Sequence, residues 1–251
     1  MSNPIIKQMQ NRRSVRQFTG EPVSDADLET IFKTAQRAPN SINGQQISLI
    51  YTRDKERIAK IAELCGGQNQ VRTAEVFVAV VIDFNRTAIA TEIGGKTQVI
   101  ERTAEGIMVG AIDAGIMLSS LQTAAESFGY GTTSIGAVRQ NAEAMTELMG
   151  LPPKTFVAVG CTIGVPTQAA KDAPLKPRIP IDSFVMQEVY DSAKVGEGVV
   201  RYEAEFAEFR NQQGADLPGY AEKVAGLYSR VYYRATAKAM EAQGFRFSDT
   251  V

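Results

Sequence analysis

The sequence predicts a fold that mixes α-helices with buried β-strands, and three observations indicate it. Residues 76–82 and 156–163 are nearly continuous in apolar and β-branched side chains, which is typical of strands buried on both faces. Around them lie segments whose apolar residues recur at helical spacing. The 251 residues are enough to bury a full core, as one large domain or as a domain with an appended excursion.

Cap and turn residues mark the other elements. Ser24 and Asp27 resemble a capping box, and Asp54 is a second helix start. The predicted order is a helix from 24 that ends before Pro39, a strand at 47–52, a helix at 54–64, the strand 76–82, a surface loop at 85–103, a helix at 104–128, a short strand or extended turn at 132–135, a helix at 141–149, the strand 156–163 and a loop at 165–182.

The segment 104–128 is apolar nearly all round, which predicts a central, buried helix. Its small residues, such as Gly110 and Ala114, would let another helix approach closely. Polar residues including Asp113 and Gln122 interrupt it, so its longest apolar stretches are too short to span a bilayer.

Composition changes at about residue 184, where charge and tyrosine increase. Glycines at 196, 198 and 214 and the pair Pro218-Gly219 are expected to interrupt its helices. We therefore predict a core at 1–183 and, within the same domain, a C-terminal excursion at 184–251 that wraps a neighbour or covers a site.

The totals exclude several classes of function. Lysine and arginine number 27 against 28 acidic residues, which argues against a nucleic-acid binder. The chain has no histidine, so imidazole catalysis and histidine metal sites are excluded, and no metal is expected. Cys65 and Cys161 have no redox or metal spacing and are predicted to be small buried residues of a cytoplasmic protein. The N-terminus lacks a hydrophobic signal core. Redox chemistry would therefore need an organic cofactor.

Two short basic segments predict a phosphate site. Arg12, Arg13 and Arg16 surround Ser14, and Lys176-Pro177-Arg178 repeats this chemistry far downstream. Arginine makes forked contacts with phosphate and lysine adds a point charge, so one phosphate could be held from both sides. Either segment alone is also compatible with a solvated basic turn.

Two other motifs are weak. Residues 129–134 approach a dinucleotide fingerprint but follow a helix, so glycines that end a helix are the better interpretation. Residues 90–97 nearly match a P-loop around Lys96, but Ala90 replaces the first glycine and the strand ends too early. The amides of 43–46 and Gln68 suit the edge of a heteroaromatic ring, although ordinary turn chemistry explains them equally well.

The ordered set of motifs resembles the nitroreductase superfamily of FMN-dependent oxidoreductases, especially its oxygen-insensitive NADPH nitroreductases and flavin reductases. The resemblance is good over residues 5–182 and loose beyond. The motifs that carry it are Arg12-Arg13-Ser14-Val15-Arg16, Ala38-Pro39-Asn40-Ser41, Gln46, Gly66-Gly67-Gln68, Ser134-Ile135-Gly136-Ala137-Val138-Arg139 and Lys176-Pro177-Arg178-Ile179-Pro180. It implies an α+β, three-layer sandwich with a mainly antiparallel sheet, and a homodimer whose C-terminal excursion wraps the partner.

The resemblance also implies roles for residues. Arg12, Ser14, Lys176 and Arg178 would hold the FMN phosphate, with Arg13, Val15 and Pro177 in the same runs. Arg16 would lie at the N1 and C2 carbonyl edge and stabilise the anionic reduced flavin. Gln46 and Gln68 would bond the ribityl chain or ring edge, and backbone N–H groups near Ser134, Ile135, Gly136 and Ala137 would face N5 and O4. Asn40, Ser41 and Asn43 would reach the partner's flavin.

The implied activity is ping-pong hydride transfer from NADPH, or NADH, through FMN to nitroaromatics, quinones, flavins or similar acceptors. With no histidine, protons would come from water. No basic residue lies at 211–219, which leaves Arg201, Arg210, Lys223 and Arg230 to hold the nucleotide's 2′-phosphate and leaves the preferred nucleotide open. An FMN carrier or sensor without turnover and, more remotely, a P-loop nucleotide hydrolase are the alternatives.

Overall fold

The structure is a computed structural model that describes residues 3–214 and 218–249. The strands are β1 (Ile47–Thr52), β2 (Val76–Asp83), β3 (Gly131–Ile135) and β4 (Thr155–Gly164). The helices are α1 (Pro4–Gln10), α2 (Asp25–Ala35), α3 (Lys55–Leu64), α4 (Asn69–Arg72), α5 (Phe84–Ile93), α6 (Ala104–Ser127), α7 (Ala142–Met149), α8 (Gln168–Asp172), α9 (Ile181–Phe184), α10 (Ser192–Gln212), α11 (Tyr220–Tyr228) and α12 (Thr236–Ala242).

The four strands form one antiparallel sheet in the order β1-β2-β4-β3. Seven of the eight residues of β2 are buried, as the continuous apolar run predicts. The α+β class and the antiparallel sheet predicted from the resemblance are therefore confirmed.

Helices cover both faces of this sheet. On one face, Phe77 and Val81 of β2 pack with Ile61 of α3 and Met145 of α7. On the other face, the alternate residues of β2 pack with α2 and α6, for example Val78 with Leu121. The period of two along β2 thus divides its side chains between two helical layers.

Cap residues fix the helix starts that the sequence predicts. Ser24 Oγ accepts a hydrogen bond of 3.0 Å from the Asp27 N–H, and Asp54 Oδ1 accepts one of 2.6 Å from the Arg57 N–H. Gly66 and Gly150 follow α3 and α7 with φ of +76° and +64°, the left-handed conformation that ends helices. The strand 47–52 is also confirmed residue for residue.

The predicted loop at 85–103 is wrong over its first half. Asp83 Oδ1 accepts a hydrogen bond of 3.0 Å from the Arg86 N–H and caps α5, which continues to Ile93. Gly94 and Gly95 then end the helix. Residues 90–97 are therefore a helix end, and the glycine-rich loop between strand and helix that a P-loop requires is not formed there.

The prediction of a central, buried helix at 104–128 is correct for only one face of α6. One face packs on the sheet through residues such as Leu121, whereas Met108 and Ile112 are 53% and 54% exposed. By length and composition α6 could cross a membrane, with a window of mean hydropathy 1.4, so its apolar stretch is longer than predicted. Its packing on the sheet and the burial of Asp113 and Gln122 identify it instead as a helix of the folded core.

The chain divides into two compact units. The first comprises the residues up to Ala173 together with those from Tyr233, and the second is Pro174–Tyr232. The unit boundary thus lies ten residues before the composition change at 184, and α12 belongs with the first unit.

Within the second unit, α10 runs unbroken through Gly196 and Gly198, so the predicted interruption there is wrong. A β-carbon at position 198 would lie 2.0 Å from Ser183 Oγ of α9, which explains the glycine by close packing rather than by a helix break.

The first unit also includes a distant aromatic residue in its core. Phe245, which follows α12, is 1% exposed. Its ring centroid lies 6.0 Å from that of Phe84 and 6.3 Å from that of Phe156. The segment after the second unit therefore completes the core around β2 and β4.

Candidate functional site

The cationic segment 12–18 rests on two glycines at the edge of the sheet. Gly131 of β3 and Gly164 of β4 are paired across the strands. A β-carbon at 131 would lie 2.6 Å from Val15 Cγ1, and one at 164 would lie 2.7 Å from Phe18 Cδ1. These glycines therefore leave the space that Val15 and Phe18 occupy.

Backbone contacts hold the same segment against β3. The Val15 N–H donates a bond of 2.9 Å to Thr132 O, and Val15 O accepts a bond from Thr133 Oγ1. Val15 is buried, and its neighbours Ser14 and Arg16 are exposed. Because side chains alternate along an extended chain, burial of Val15 turns the serine hydroxyl and the Arg16 guanidinium outward.

The three arginines have different environments. Arg12 Nε lies 3.7 Å from Glu126 Oε1. Arg13 donates from Nη1 to Lys171 O at 2.6 Å and to Ala173 O, so its guanidinium is used to fix a neighbouring loop. Arg16 makes only a long contact of 3.4 Å, from Nη1 to Ser14 O, among the described residues.

Glu126 is a functional candidate that the sequence analysis missed. It lies near the end of α6, and its Oε1 accepts a hydrogen bond of 2.7 Å from Thr132 Oγ1. Burial raises the pKa of its carboxyl, while the Thr132 hydrogen bond and the Arg12 charge oppose that rise. A cavity of about 250 Å³ lies beside Arg12, Arg13 and Glu126. The signal in the sequence that could have indicated Glu126 is an acidic residue within a largely apolar helix.

The loop 40–46 has an unusual backbone. Ile42, Asn43 and Gln45 have φ of 50°, 55° and 53°. Ser41 N–H donates a bond of 3.2 Å to Asp113 Oδ2, and Gln46 Nε2 donates to the same atom. Gln46 is 3% exposed, so its amide is occupied inside the protein, and its role toward a flavin stays a prediction.

Asp113 is the second functional candidate missed by the sequence analysis, which used it only as a polar interruption of an apolar segment. It lies at a cavity of about 390 Å³ that Asn40, Gln45 and the rings of Phe32 and Tyr51 also line. These two rings are 5.0 Å apart.

The other predicted cofactor residues of the first unit lie at the ends of elements. Gln68 is the N-cap of α4, and its Oε1 accepts a bond of 2.6 Å from Gln70 Nε2. Ser134 is exposed near the end of β3, while Ile135 and Ala137 are buried. Gly136 starts a 3-10 turn, whose first amides lack partners within the turn.

Lys176, Pro177 and Arg178 lie in the second unit. Tyr202 of α10 donates a bond of 3.2 Å to Pro177 O, and Arg178 Nη1 lies 3.3 Å from the same oxygen. The side chains of Lys176 and Arg178 are exposed. Since the two basic segments belong to different units, their joint grip on one phosphate stays a prediction.

The predicted contacts with the nicotinamide nucleotide also lie in the second unit. Arg201 Nη2 bonds Asp182 Oδ1 at 2.6 Å, which holds α10 to α9. Lys223 and Arg230 are exposed, and Arg210 is half-buried. Of the stretch 211–219, residues 215–217 lie outside the described residues.

Comparison with known proteins gives two family matches. The model of the nitroreductase family matches residues 9–165, and that of the nitroreductase family C-terminal domain matches residues 176–248. The first match contains the cationic segment, the loop 40–46 and the 3-10 turn that follows β3. The second contains the Lys176–Arg178 segment.

Individual relatives agree with these matches. An FMN reductase (NAD(P)H) of Bacillus subtilis is 39% identical over 97% of this chain and 98% of its own length. An oxygen-insensitive NADPH nitroreductase of Salmonella typhimurium is 33% identical over 85% of each chain. The solved structure of B. megaterium NfrA2 has 37% identity and a TM-score of 0.94, and covers 99% of this chain and 100% of its own. This chain belongs to the nitroreductase family.

Proposed function

We propose that this protein is an FMN-dependent NAD(P)H oxidoreductase that reduces nitroaromatics, quinones, free flavins or similar acceptors. Family membership and the names of its relatives support this function. The observation that carries it is the seating of Val15 on Gly131, which turns Ser14 and Arg16 outward.

The chemistry of this segment fits FMN. A phosphate monoester needs cations and hydroxyl or N–H donors, and the segment offers the Arg12 guanidinium and the Ser14 hydroxyl. Bound FMN would accept hydride from NADPH or NADH and pass reducing equivalents to the acceptor. Lys176 and Arg178 would add their charges to the same phosphate.

Arg16 is the residue to which we assign electrostatic stabilisation. Its guanidinium is exposed and is held by the described residues through one long contact to Ser14 O. A fixed cation near the N1 and C2 carbonyl edge favours the negatively charged reduced ring. Gln68 and the amides at Gly136 and Ala137 are assigned to the polar edges of the ring.

Water is the expected proton source. The chain has no histidine, and burial raises the pKa of both Cys65 and Cys161 to about 12. The chain therefore has no imidazole, and its two thiols cannot exchange protons near neutral pH. A sigmoid near pH 6.5 in flavin reduction, traced to a protein side chain, would contradict this expectation.

A homodimer is the proposed assembly, with Asn40, Ser41 and Asn43 near the partner's flavin. The exposed face of α6 supports it, because Met108, Ile112, Gly115 and Ser119 repeat at intervals of four, three and four residues. This spacing forms one stripe of small and large side chains, which is apolar except for Ser119. The C-terminal excursion would cover the partner, and light scattering after size-exclusion chromatography gives the assembly mass.

The first experiment is an absorbance spectrum of the purified protein, followed anaerobically by NADPH and, separately, by NADH. Yellow protein that either nucleotide bleaches, and that a quinone restores, is the expected result. The faster nucleotide identifies the preferred donor. Yellow protein that neither nucleotide bleaches would favour the carrier or sensor, and colourless protein that takes up no FMN would overturn the proposal.

The helical geometry of α5 argues against the nucleotide hydrolase. Lys96 follows the end of that helix, rather than a loop between a strand and a helix. Lys96→Ala should leave FMN content unchanged. Loss of ATP binding in this variant would reverse the ranking of the two functions.

A further inference from the structure

Asp113 is a buried acid on the most apolar helix of the chain. It is 4% exposed, and within residues 3–214 and 218–249 no lysine or arginine forms an ion pair with it. Burying a carboxylate without a cation is unfavourable unless hydrogen bonds compensate. The bonds that Asp113 accepts should therefore explain why an acid lies here.

Both of these bonds come from one loop. Ser41 donates from its backbone N–H at 3.2 Å, and Gln46 donates from its side-chain amide, so Asp113 holds the loop near both ends. The same carboxylate oxygen, Oδ2, accepts both. An apolar side chain at position 113 would leave a buried amide and a backbone N–H without their acceptor.

The loop between these anchors has a conformation that its own sequence disfavours. Ile42 has φ of 50°, a region that β-branched residues rarely adopt, and its side chain is 96% exposed. Packing of Ile42 therefore does not impose this backbone. Strained conformations persist where the surroundings determine them, and they cluster at functional sites.

Other contacts within the loop are local. Gln45 N–H donates to Asn40 Oδ1 at 2.8 Å, and Gly44 N–H donates to Ser41 O at 2.8 Å. These bonds shape the loop but do not fix it to the rest of the first unit. One backbone bond does so at the end of the loop, where the Asp83 N–H of β2 donates to Gln46 O at 2.8 Å. Asp113 supplies two side-chain bonds that fix it to the core helix α6.

We infer that Asp113 is a positioning residue whose buried carboxylate fixes the strained loop 40–46, so that Asn40, Ser41 and Asn43 meet the flavin in a defined geometry. This inference rests on the proposed function, because the contact of the loop with flavin belongs to that proposal. Asp113 itself acts only through the loop. Removal of the Asp113 carboxylate should therefore disturb the reaction with the electron acceptor more than the binding of the FMN phosphate.

Two substitutions separate the role of Asp113 as a hydrogen-bond acceptor from its negative charge. Asp113→Ala removes the oxygen that accepts both hydrogen bonds. Asp113→Asn keeps an oxygen that can take the place of Oδ2, while its amide nitrogen replaces Oδ1, to which no described residue donates. The asparagine variant should therefore restore the loop although it is neutral.

Gln98→Ala is the matched control. Gln98 is also a buried amide of the first unit, and it bonds Phe84 O at 2.9 Å and Glu101 Oε2 at 3.0 Å. Its loss removes buried hydrogen bonds without touching the loop 40–46. A general loss of stability should thus affect this variant as much as Asp113→Ala.

Hydrogen exchange of the FMN-loaded protein tests the anchor without any activity. The peptide 38–46 should exchange roughly tenfold faster or more in Asp113→Ala, because a lost anchor allows local opening. It should stay near the wild-type rate in Asp113→Asn and Gln98→Ala. Unchanged exchange in Asp113→Ala would overturn the inference, as would equally fast exchange in Asp113→Asn.

Steady-state kinetics then test the consequence. For Asp113→Ala we expect kcat/KM for a quinone acceptor to fall roughly tenfold to a hundredfold, since small misplacements of contact groups are costly. FMN affinity should change by less than about threefold, because the phosphate contacts are intact. Wild-type kinetics together with fast exchange would show that the loop does not serve the reaction.

The two failures are distinguishable. If the wild-type protein shows no NAD(P)H-dependent bleaching, the proposed function fails, while exchange still tests the anchor. If Asp113→Ala does not fold, Gln46→Met, which removes one of the two bonds, should show intermediate exchange in the same peptide. Wild-type exchange in that variant would contradict the anchor.

Discussion

Val15 packs directly on Gly131, where a β-carbon would lie 2.6 Å from the valine Cγ1 atom. The glycine is thus a determinant of where the cationic segment lies, although it carries no functional group. The contact links a position in β3 to the guanidinium and hydroxyl groups on either side of Val15.

Gly131→Ala should therefore weaken FMN binding. The added methyl group forces Val15 from its position, and overpacking of this kind costs about 1–3 kcal/mol. Fluorescence quenching of FMN and thermal unfolding measure the two effects. Gly196→Ala, where a β-carbon meets no atom within 4 Å, is the control and should keep wild-type FMN affinity. Unchanged FMN affinity in Gly131→Ala would separate the segment from the cofactor.

The raised pKa of Glu126 predicts a pH dependence of stability. Burial raises the folded-state pKa above its ordinary value of about 4.5, so the folded protein binds more protons than the unfolded chain just above that pH. The corresponding stability is present below the unfolded pKa and is lost as pH rises through the folded pKa.

Glu126→Gln should remove this dependence of stability on pH. Urea unfolding measures the dependence, in about five separate titrations at pH values from 4 upward. As pH rises above about 4.5, the wild-type protein should lose unfolding free energy relative to the glutamine variant. A variant minus wild-type difference that is constant with pH would contradict the assignment. A difference that falls with pH would also contradict it, because loss of an Arg12 ion pair alone predicts that opposite slope.

Lys176→Ala and Arg178→Ala should each weaken FMN retention by about 1–3 kcal/mol, as expected for a charge-assisted hydrogen bond to phosphate. Equilibrium dialysis of the two variants measures this loss. The effect should shrink for riboflavin, which lacks the phosphate. Unchanged occupancy in both variants would exclude the two-sided grip.

Arg16→Ala should lower the reduction potential of bound FMN more than it lowers FMN affinity. Loss of about 1–3 kcal/mol of stabilisation of the reduced state corresponds to roughly 20–60 mV for two electrons. Dye-coupled anaerobic titration gives the potential. Arg102→Ala, an exposed arginine outside the cationic segment, is the charge-matched control. Equal potentials in the Arg16 and Arg102 variants would remove Arg16 from its assigned role.

Local chemistry made much of the fold predictable. The β-branched runs of β2 and β4, the caps Ser24 and Asp54 and the glycines after α3 and α7 each act within a few residues, and they lie where the sequence indicates. The sequence does not predict the helix α5, because residues 84–93 show no apolar periodicity that distinguishes one face. Gly198 resembles a helix break in the sequence, because its contact with Ser183 exists only after folding.

In the candidate site too, local features are predictable from the sequence and long-range contacts are not. The cationic segment is visible in the sequence, and so are the amides of the loop 40–46. The anchors are not visible, because Asp113 is 67 positions from Gln46 along the chain and the register of α6 decides which of its residues meet the loop. The left-handed conformation of Ile42 runs against the preference of its own side chain, so local rules predict the wrong backbone there.

The return of Phe245 to the core has a consequence for biosynthesis. Phe84 and Phe156 emerge from the ribosome well before the residue that packs against them, with the whole second unit made in between. During that time the nascent chain exposes an aromatic surface that native packing later covers. The core of the sheet domain is therefore completed only after residue 245 has been made, and a product that stops before residue 245 presents to chaperones the same uncovered surface as the nascent chain.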